Sequence, residues 1–221
     1  MAWTEGEKSS TSQSLLEKIP GASPRKTPTV PSYKLLGDGQ VELQDASFQR
    51  VKDTDFVIGG AKLEQFKKNH AIHDSLSGTG KVEQYDLYVN REAEELVAVI
   101  RFGKAVNGYP GIVHGGILSL MIDDAYGMLF LHCKRPMSAT ANLNINFRSK
   151  VVSGSTVVLH CRIDKVDGRK LFLSGSVHDA RSGKLCVDST SLFVAWRRFF
   201  DLPWWAEPVK PFLGYLVKIL P

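Results

Sequence analysis

One stretch limits what this chain can fold into: an apolar run over residues 117–133 that opens on His114-Gly115-Gly116. It exceeds the length of an ordinary strand, and apolar side chains occupy almost every side of its helical wheel. A helix that is hydrophobic nearly all round is a buried helix or a membrane span. No stretch of 18 apolar residues in this chain is free of polar interruption, which favours burial. Such a helix needs a sheet wrapped around it, and the flanking sequence supplies one. Upstream, residues 82–90 and 95–103 read as strands, the second with Leu96, Ala98, Ile100 and Phe102 on one face at period two. Downstream, Ala141, Leu143, Ile145 and Phe147 alternate with Asn142, Asn144, Asn146 and Arg148, the pattern of a half-buried strand. Residues 157–163, 171–177 and 185–196 continue the series, separated by the turn signals Ser153-Gly154, Asp167-Gly168 and Ser182-Gly183. Two strands, one long buried helix and a four-strand meander predict an α+β fold with an antiparallel sheet of about six strands.

The ends of the chain differ from this middle. Residues 1–50 carry Ser9, Ser10, Ser12, Ser14, Gly21, Pro24, Pro28 and Pro31 with few apolar residues in the first 40, and read as a flexible extension with at most a short helix near 14–18. Residues 51–198 hold the globular domain, with a helical turn or two expected between 54 and 73. Residues 199–221 form an aromatic tail with Phe199, Phe200, Trp204, Trp205, Phe212 and Tyr215, interrupted by Pro203, Pro208 and Pro211. That tail is expected either to pack back over the domain or to make peripheral contact with a membrane surface. The net charge of +5 suits an anionic ligand, but no Lys/Arg block is long enough for a nucleic-acid arm, and no nucleic-acid partner is expected. Three cysteines, none in a C-x-x-C pair, fit neither a disulfide framework nor a zinc ribbon. The N-terminus resembles neither a secretory signal nor a good transit peptide, so the expected location is intracellular, cytoplasmic or mitochondrial.

Chemistry concentrates where polar groups are forced into the apolar helix. Asp123 and Asp124 lie mid-helix between Leu120, Met121, Ile122 and Ala125. A buried carboxylate costs several kcal/mol unless it is paired. On a helical wheel Gly116, Ser119, Asp123 and Tyr126 share one broad stripe, while Asp124 points about a quarter-turn away. One Asp is therefore expected to be hydrogen-bonded structurally and the other to reach solvent, or one of them to act in catalysis. Gly115-Gly116 at the helix start exposes backbone N–H groups where the dipole favours developing negative charge, as on an acyl carbonyl becoming tetrahedral. The plain alternative is a tight strand-to-helix turn that needs glycine.

The stretches Val113-His-Gly-Gly-Ile-Leu-Ser-Leu-Met-Ile-Asp123-Asp-Ala-Tyr-Gly-Met128, Thr140-Ala-Asn-Leu-Asn-Ile-Asn-Phe147 and Asp164-Lys-Val-Asp-Gly-Arg169 resemble the hotdog-fold acyl-CoA thioesterases, in particular eukaryotic members related to the phenylacetyl-CoA type. The resemblance covers roughly residues 80–196. It implies the hotdog fold, hydrolysis of fatty or aromatic acyl-CoA, Asp123 as the catalytic carboxylate and Gly115 N–H as the carbonyl-polarising donor. His114 matches the motif histidine and Thr140 an active-site hydroxyl. Asp124, where a small residue is expected, and the long tail depart from the pattern. They motivate the alternative of a non-catalytic acyl-CoA-binding sensor or interaction module.

Gly115 and Asp123 are eight residues apart, about 12 Å along one helix at a rise of ~1.5 Å per residue. Reacting groups need contact of ~3 Å, so one copy of the helix cannot bring both to one carbonyl. A homodimer, or a tetramer, with the site shared between antiparallel copies is expected. Gly116, Asn107, Arg148 and Lys150 are further candidates for substrate contact, the last two for coenzyme A phosphates, against ordinary turn and strand-end roles. His70 and His73, with Asp74, have metal-ligand spacing, but no third or fourth ligand stands at a plausible distance in sequence. They read as exposed helix polars, and no metal or organic cofactor is expected. Cys133, Cys161 and Cys186 read as inert core thiols, and the absence of G-x-S-x-G excludes a serine-hydrolase elbow.

Overall fold

A computed structural model describes residues 30–37, 39–51, 57–58, 61–62 and 70–195. Before the long elements come β1 (Tyr33–Leu35), β2 (Val41–Leu43), β3 (Gln49–Arg50), β4 (Val57–Ile58) and β5 (Ala61–Lys62), then a single π-helical turn, Ala71–Ser75. β6 (Val82–Asn90) and β7 (Glu95–Phe102) form the first long hairpin. The short ladder β8 (Asn107–Tyr109) and β9 (Ile112–Val113) leads into the helix α1 (Gly115–His132). Then come β10 (Ser138–Phe147), β11 (Thr156–Asp167), β12 (Lys170–Asp179) and β13 (Leu185–Ala195). One antiparallel sheet of seven strands has the order β10-β13-β12-β11-β7-β6-β3.

The expected strands and helix are present, but the second group is not a simple meander. β11, β12 and β13 pair in succession, whereas β10 pairs with β13 at the sheet edge and β11 pairs with β7. Alternation reports which face of a strand is apolar and says nothing of its neighbour. The hairpin turns follow their sequence signals: Asp167 and Lys170 are paired across Gly168, whose φ of +55° is the left-handed conformation that favours glycine.

The helix lies against β7, β10 and β11. Leu118, Met121, Ile122, Ala125, Tyr126 and Leu129 are buried in a core with Leu96, Ala98, Ile100 and Phe102 from β7 and Val157, Leu159 and Cys161 from β11. Close approach is set at Gly175 of β12, where a Cβ would stand 2.8 Å from the Tyr126 hydroxyl. Tyr126 is fully buried and within 2.8 Å of Ser189 Oγ, so it does not share the open stripe with Gly116 and Asp123. Gly116, Leu120, Asp123, Gly127 and Leu131 form that stripe, at successive spacings of three or four along the helix.

Residues 30–51 correct the expectation of a flexible extension reaching residue 50. Val41 and Phe48 are buried against Val97, Val99, Val158 and Ala180 on the sheet face opposite the helix, with Tyr33, Leu35 and Leu43 packed beside them. Tyr33 donates to the Ala180 carbonyl at 3.3 Å, and Thr156 Oγ1 to the Gly39 carbonyl at 2.9 Å. The physical reason lies in β7, which is apolar at Val97 and Val99 as well as at Leu96, Ala98 and Ile100. A strand apolar on both faces must be covered on both. The helix expected near 14–18, most of the 54–73 segment and the tail 199–221 fall outside the described residues.

Candidate functional site

The site begins at the N-terminus of α1. His114 is the N-cap residue, and its Nδ1 accepts the Gly116 N–H at 2.9 Å. The second glycine's N–H is thus consumed by the cap. The Gly115 N–H, first in the helix, has no carbonyl a turn behind it and meets no acceptor among the described residues. A side chain at either position would be tight against its neighbours. A Cβ at Gly116 would lie 3.0 Å from His114 Nδ1, and one at Gly115 would lie 3.3 Å from the Phe147 ring. The His114 ring also packs on Gly108, where a Cβ would meet it at 3.1 Å. Asn107 pairs with Val113 in the β8–β9 ladder, which sets it beside the helix start with its Oδ1 buried.

Asp123 stands two turns further on, half-buried, and its Oδ1 accepts from the Thr140 hydroxyl at 2.9 Å. Strict alternation would put Thr140 on the polar face of β10 with Asn142 and Asn144. The register of β10 against β13 shifts between Thr140 and Asn142. This bulge turns Thr140 back toward the helix, while Leu143 and Ile145 keep packing on the core. Asp123 opens on a pocket of about 190 Å³ that also borders Gly127, Met128, Phe130 and Leu131 of the helix.

Asp124 faces a different environment. Its side chain is 12% exposed, and its Oδ2 accepts from the Tyr85 hydroxyl at 2.8 Å. His70 Nε2 lies 4.0 Å from Oδ1, and His73 Nε2 lies 3.7 Å from Oδ2. The two imidazoles are 4.8 Å apart between ring centroids, and His73 stacks on Tyr85 at 5.7 Å. Burial pushes the Asp124 carboxyl above its ordinary value, opposed in decreasing order by His73, the Tyr85 hydrogen bond and His70, with neighbouring Asp123 adding to the rise. Burial, then Asp124, holds the Tyr85 phenol well above its usual range.

The structure therefore brings Gly115, Gly116, His114 and Asn107 together at one end of the helix, and Asp123 with Thr140 further along. Arg148 is held by Asp188 of β13, which also accepts from Asn146 at 3.0 Å, and Lys150 is exposed beyond the strand. The reading of His70 and His73 as exposed helix polars is corrected. Their side chains are 26% and 16% exposed, and a third ligand-type group, Asp124, stands beside them. Sequence spacing missed this because Asp124 is more than 50 residues away and joins them only when the turn Ala71–Ser75 docks on α1. The signal was the buried Asp124 itself, which demanded partners; Tyr85, His70 and His73 are those partners.

Residues 110–186 match the family model described as "Thioesterase superfamily", a stretch that takes in α1, β10, β11 and β12. An acyl-coenzyme A thioesterase THEM4 of Bos taurus is 38% identical over 50% of this chain and 45% of its own length. The protein of the same name from Rattus norvegicus is 30% identical over 59% of this chain and 58% of its own. The chain spans about half the length of these curated relatives. Among solved structures, thioesterase superfamily member 2 from Mus musculus superposes with a TM-score of 0.50 at 20% identity, over 60% of this chain and 93% of that one. The described domain thus has the hotdog fold of that solved structure, and residues 110–186, which contain the glycine-started helix, match the thioesterase superfamily model.

Proposed function

We propose that this chain hydrolyses acyl-CoA thioesters to the free acid and coenzyme A, in line with the activity in the names of its bovine and rat relatives. The observation that carries the reading is the pairing of a Gly115 N–H that meets no acceptor among the described residues, at a helix start, with an Asp123 carboxylate oriented by Thr140 and open to a pocket. Water adds to the thioester carbonyl as Asp123 takes its proton. Alternatively, Asp123 attacks directly and water hydrolyses the resulting anhydride. The negative charge that develops on the carbonyl oxygen is met by the Gly115 N–H; loss of such a donor typically lowers rate by ~10²–10³. The C–S bond breaks, and the coenzyme A thiolate leaves and takes up a proton. Asn107 and Gly116 border the helix start, and His114 supports it by capping.

The active unit is a homodimer in which one chain supplies Gly115 and the other Asp123. Support comes from the edge strand β10, whose Ala141 and Phe147 are exposed, and from the half-open helix stripe beside it. A strand edge that has no partner among the described residues and carries apolar side chains is a natural site for a second copy. Arg148 reaches coenzyme A phosphates only by exchanging its Asp188 partner, and Lys150 is the less encumbered cation. The location is intracellular, consistent with three free thiols.

The deciding experiment is release of free thiol from a panel of fatty and aromatic acyl-CoAs by purified protein. Robust turnover supports hydrolysis; tight acyl-CoA binding without thiol release would make the domain a sensor. Mixed dimers of Asp123→Asn chains and Gly115→Pro chains, each parent first shown to be dimeric and inactive, should regain activity through one intact hybrid site. Vesicle flotation with and without residues 199–221 tests membrane contact by that segment.

A further inference from the structure

We propose that His70, His73 and Asp124 form a binding site for one divalent transition-metal ion, of the zinc class, with an open coordination position facing the pocket that Asp123 shares. The turn Ala71–Ser75 supplies two imidazoles and α1 a carboxylate, and all three ligand atoms lie within 4.8 Å of one another. A buried carboxylate needs compensation, and the Tyr85 hydroxyl supplies one bond. Hydrogen bonding alone does not require two histidines whose Nε2 atoms approach the two separate oxygens of Asp124, at 4.0 and 3.7 Å. An ion pair with one imidazolium would compensate the carboxylate; the convergence of both rings with it is what a metal ion uses.

The magnitudes are compatible. Zinc bonds of ~2.0–2.1 Å to nitrogen and oxygen, arranged tetrahedrally, hold neighbouring ligand atoms about 3.4 Å apart. The three ligand atoms, within 4.8 Å of one another, exceed this by up to about 1.4 Å, so binding draws both imidazoles toward one carboxylate oxygen by side-chain rotation. Two neutral nitrogens and one carboxylate suit zinc, cobalt or iron(II) and not the all-oxygen shells of calcium or magnesium. Tyr85 donates to Asp124 Oδ2, the kind of outer contact that orients a ligating carboxylate and leaves Oδ1 available. Met128, Phe130 and Leu131 line the same pocket and limit solvent around the ion, while three protein ligands leave room for a water or a substrate oxygen. One feature opposes binding: His70 Nδ1 accepts from the N–H groups of Ile72 and His73, which keeps its proton on Nε2. These contacts, at 3.3 and 3.4 Å, lie at the long end of the hydrogen-bond range, so ligation through Nε2 gives up little. The proposal is independent of whether the chain hydrolyses thioesters.

The test uses the full chain, stripped with a chelator and titrated with Co²⁺ and Zn²⁺ by visible absorption and calorimetry. One ion per chain is expected, with cobalt d–d bands and no sulfur-to-cobalt charge transfer. Intense bands indicate a four-coordinate, zinc-type site, and weak bands a six-coordinate one suited to iron(II). The six-coordinate result would overturn the zinc assignment while keeping the three ligands. His70→Gln, His73→Gln and Asp124→Asn should each weaken binding at least about tenfold, Tyr85→Phe by about 10–100-fold, and His178→Gln not at all. Each variant's metal-free melting is measured first. If a variant fails to fold, the wild-type spectrum decides, because thiolate bands would place the ion on a cysteine. The absence of stoichiometric binding, thiolate bands, or unchanged affinity in the folded ligand variants would overturn the site.

Discussion

The two faces of the sheet carry different kinds of residue for different reasons. The inner face packs α1 against Leu96, Ala98, Ile100, Leu159 and Cys161, and is interrupted where the helix presents Asp123 and Asp124. The outer face carries a smaller core, built by Val97, Val99 and Val158 under Val41 and Phe48, with His160 and Glu95 set into it. On the inner face Asp123 and Asp124 border a pocket; on the outer face the His160 side chain, 3% exposed, lies beside Phe48. Burial of an ionisable group thus has two meanings in one sheet. Where the group borders a cavity it is placed to meet a ligand, and where a strand covers it, its charge state is tied to folding.

The sharpest separation of the faces comes from Asp123→Asn. It removes the carboxylate but keeps the shape and the Thr140 contact, so thioester hydrolysis should fall by at least ~10²-fold while the melting temperature barely moves. Steady-state kinetics and calorimetry on the same preparation check both halves. Unchanged kcat in a folded dimer would remove Asp123 from the chemistry.

On the outer face, Phe48→Ala should do the reverse. Phe48 is 8% exposed, and its ring meets His160 edge-on at 6.4 Å. Truncating it should cost about 3 kcal/mol of unfolding free energy, near the low end for a buried Phe because the core there is small. Activity per folded molecule should stay unchanged. Denaturant unfolding measures the first and active-site titration the second; a variant as stable as the parent would show that residues 30–51 rest on the sheet without bearing on its stability.

The inner face has its own stability test. Gly175→Ala places a methyl group 2.8 Å from the Tyr126 hydroxyl and 3.2 Å from the His160 carbonyl, backbone that cannot give way cheaply. The expected loss is about 2 kcal/mol, and Tyr126→Phe in the same chain should recover part of it by removing the hydroxyl. Independent, additive effects of the two changes would mean that the helix does not press on β12 at this point.

These contrasts also explain what could be read before the fold was in view. The inner face was legible because period-two alternation and an all-apolar helix leave one way to bury both. The outer face was missed: the period-two reading of residues 95–103 gave one apolar face to Leu96, Ala98, Ile100 and Phe102, although Val97 and Val99 between them are apolar too, and nothing in β7 says which segment covers that side. The helix-start glycines and Asp123 stood out as local motifs. The inward turn of Thr140 depends on a bulge that the unbroken alternation of residues 140–147 conceals. The meeting of Asp124 with His70 and His73 is purely tertiary, and no spacing rule reaches it.

The smallest expected effect is the pH dependence that His160 contributes on the outer face. Burial lowers the His160 imidazole below its ordinary value of 6.5; Glu95, at 3.2 Å, pulls it back up by charge and hydrogen bonding, while Arg162 and His178 lower it further. Burial prevails, so the folded chain holds fewer protons at this position than the unfolded chain between the lowered value and 6.5. Stability therefore rises with pH across that window. The contribution is fully present above 6.5 and is lost as pH falls through the folded value. His160→Gln should flatten the decline in melting temperature between about pH 6.5 and 5, and Glu95→Gln should steepen it by removing the group that favours the imidazolium. Asp123→Asn should leave this slope untouched, because it sits on the other face and opens on the pocket. A parallel shift of the whole melting curve in His160→Gln, with its slope intact, would mean that the ring contributes packing beside Phe48 and that its proton plays no part in folding.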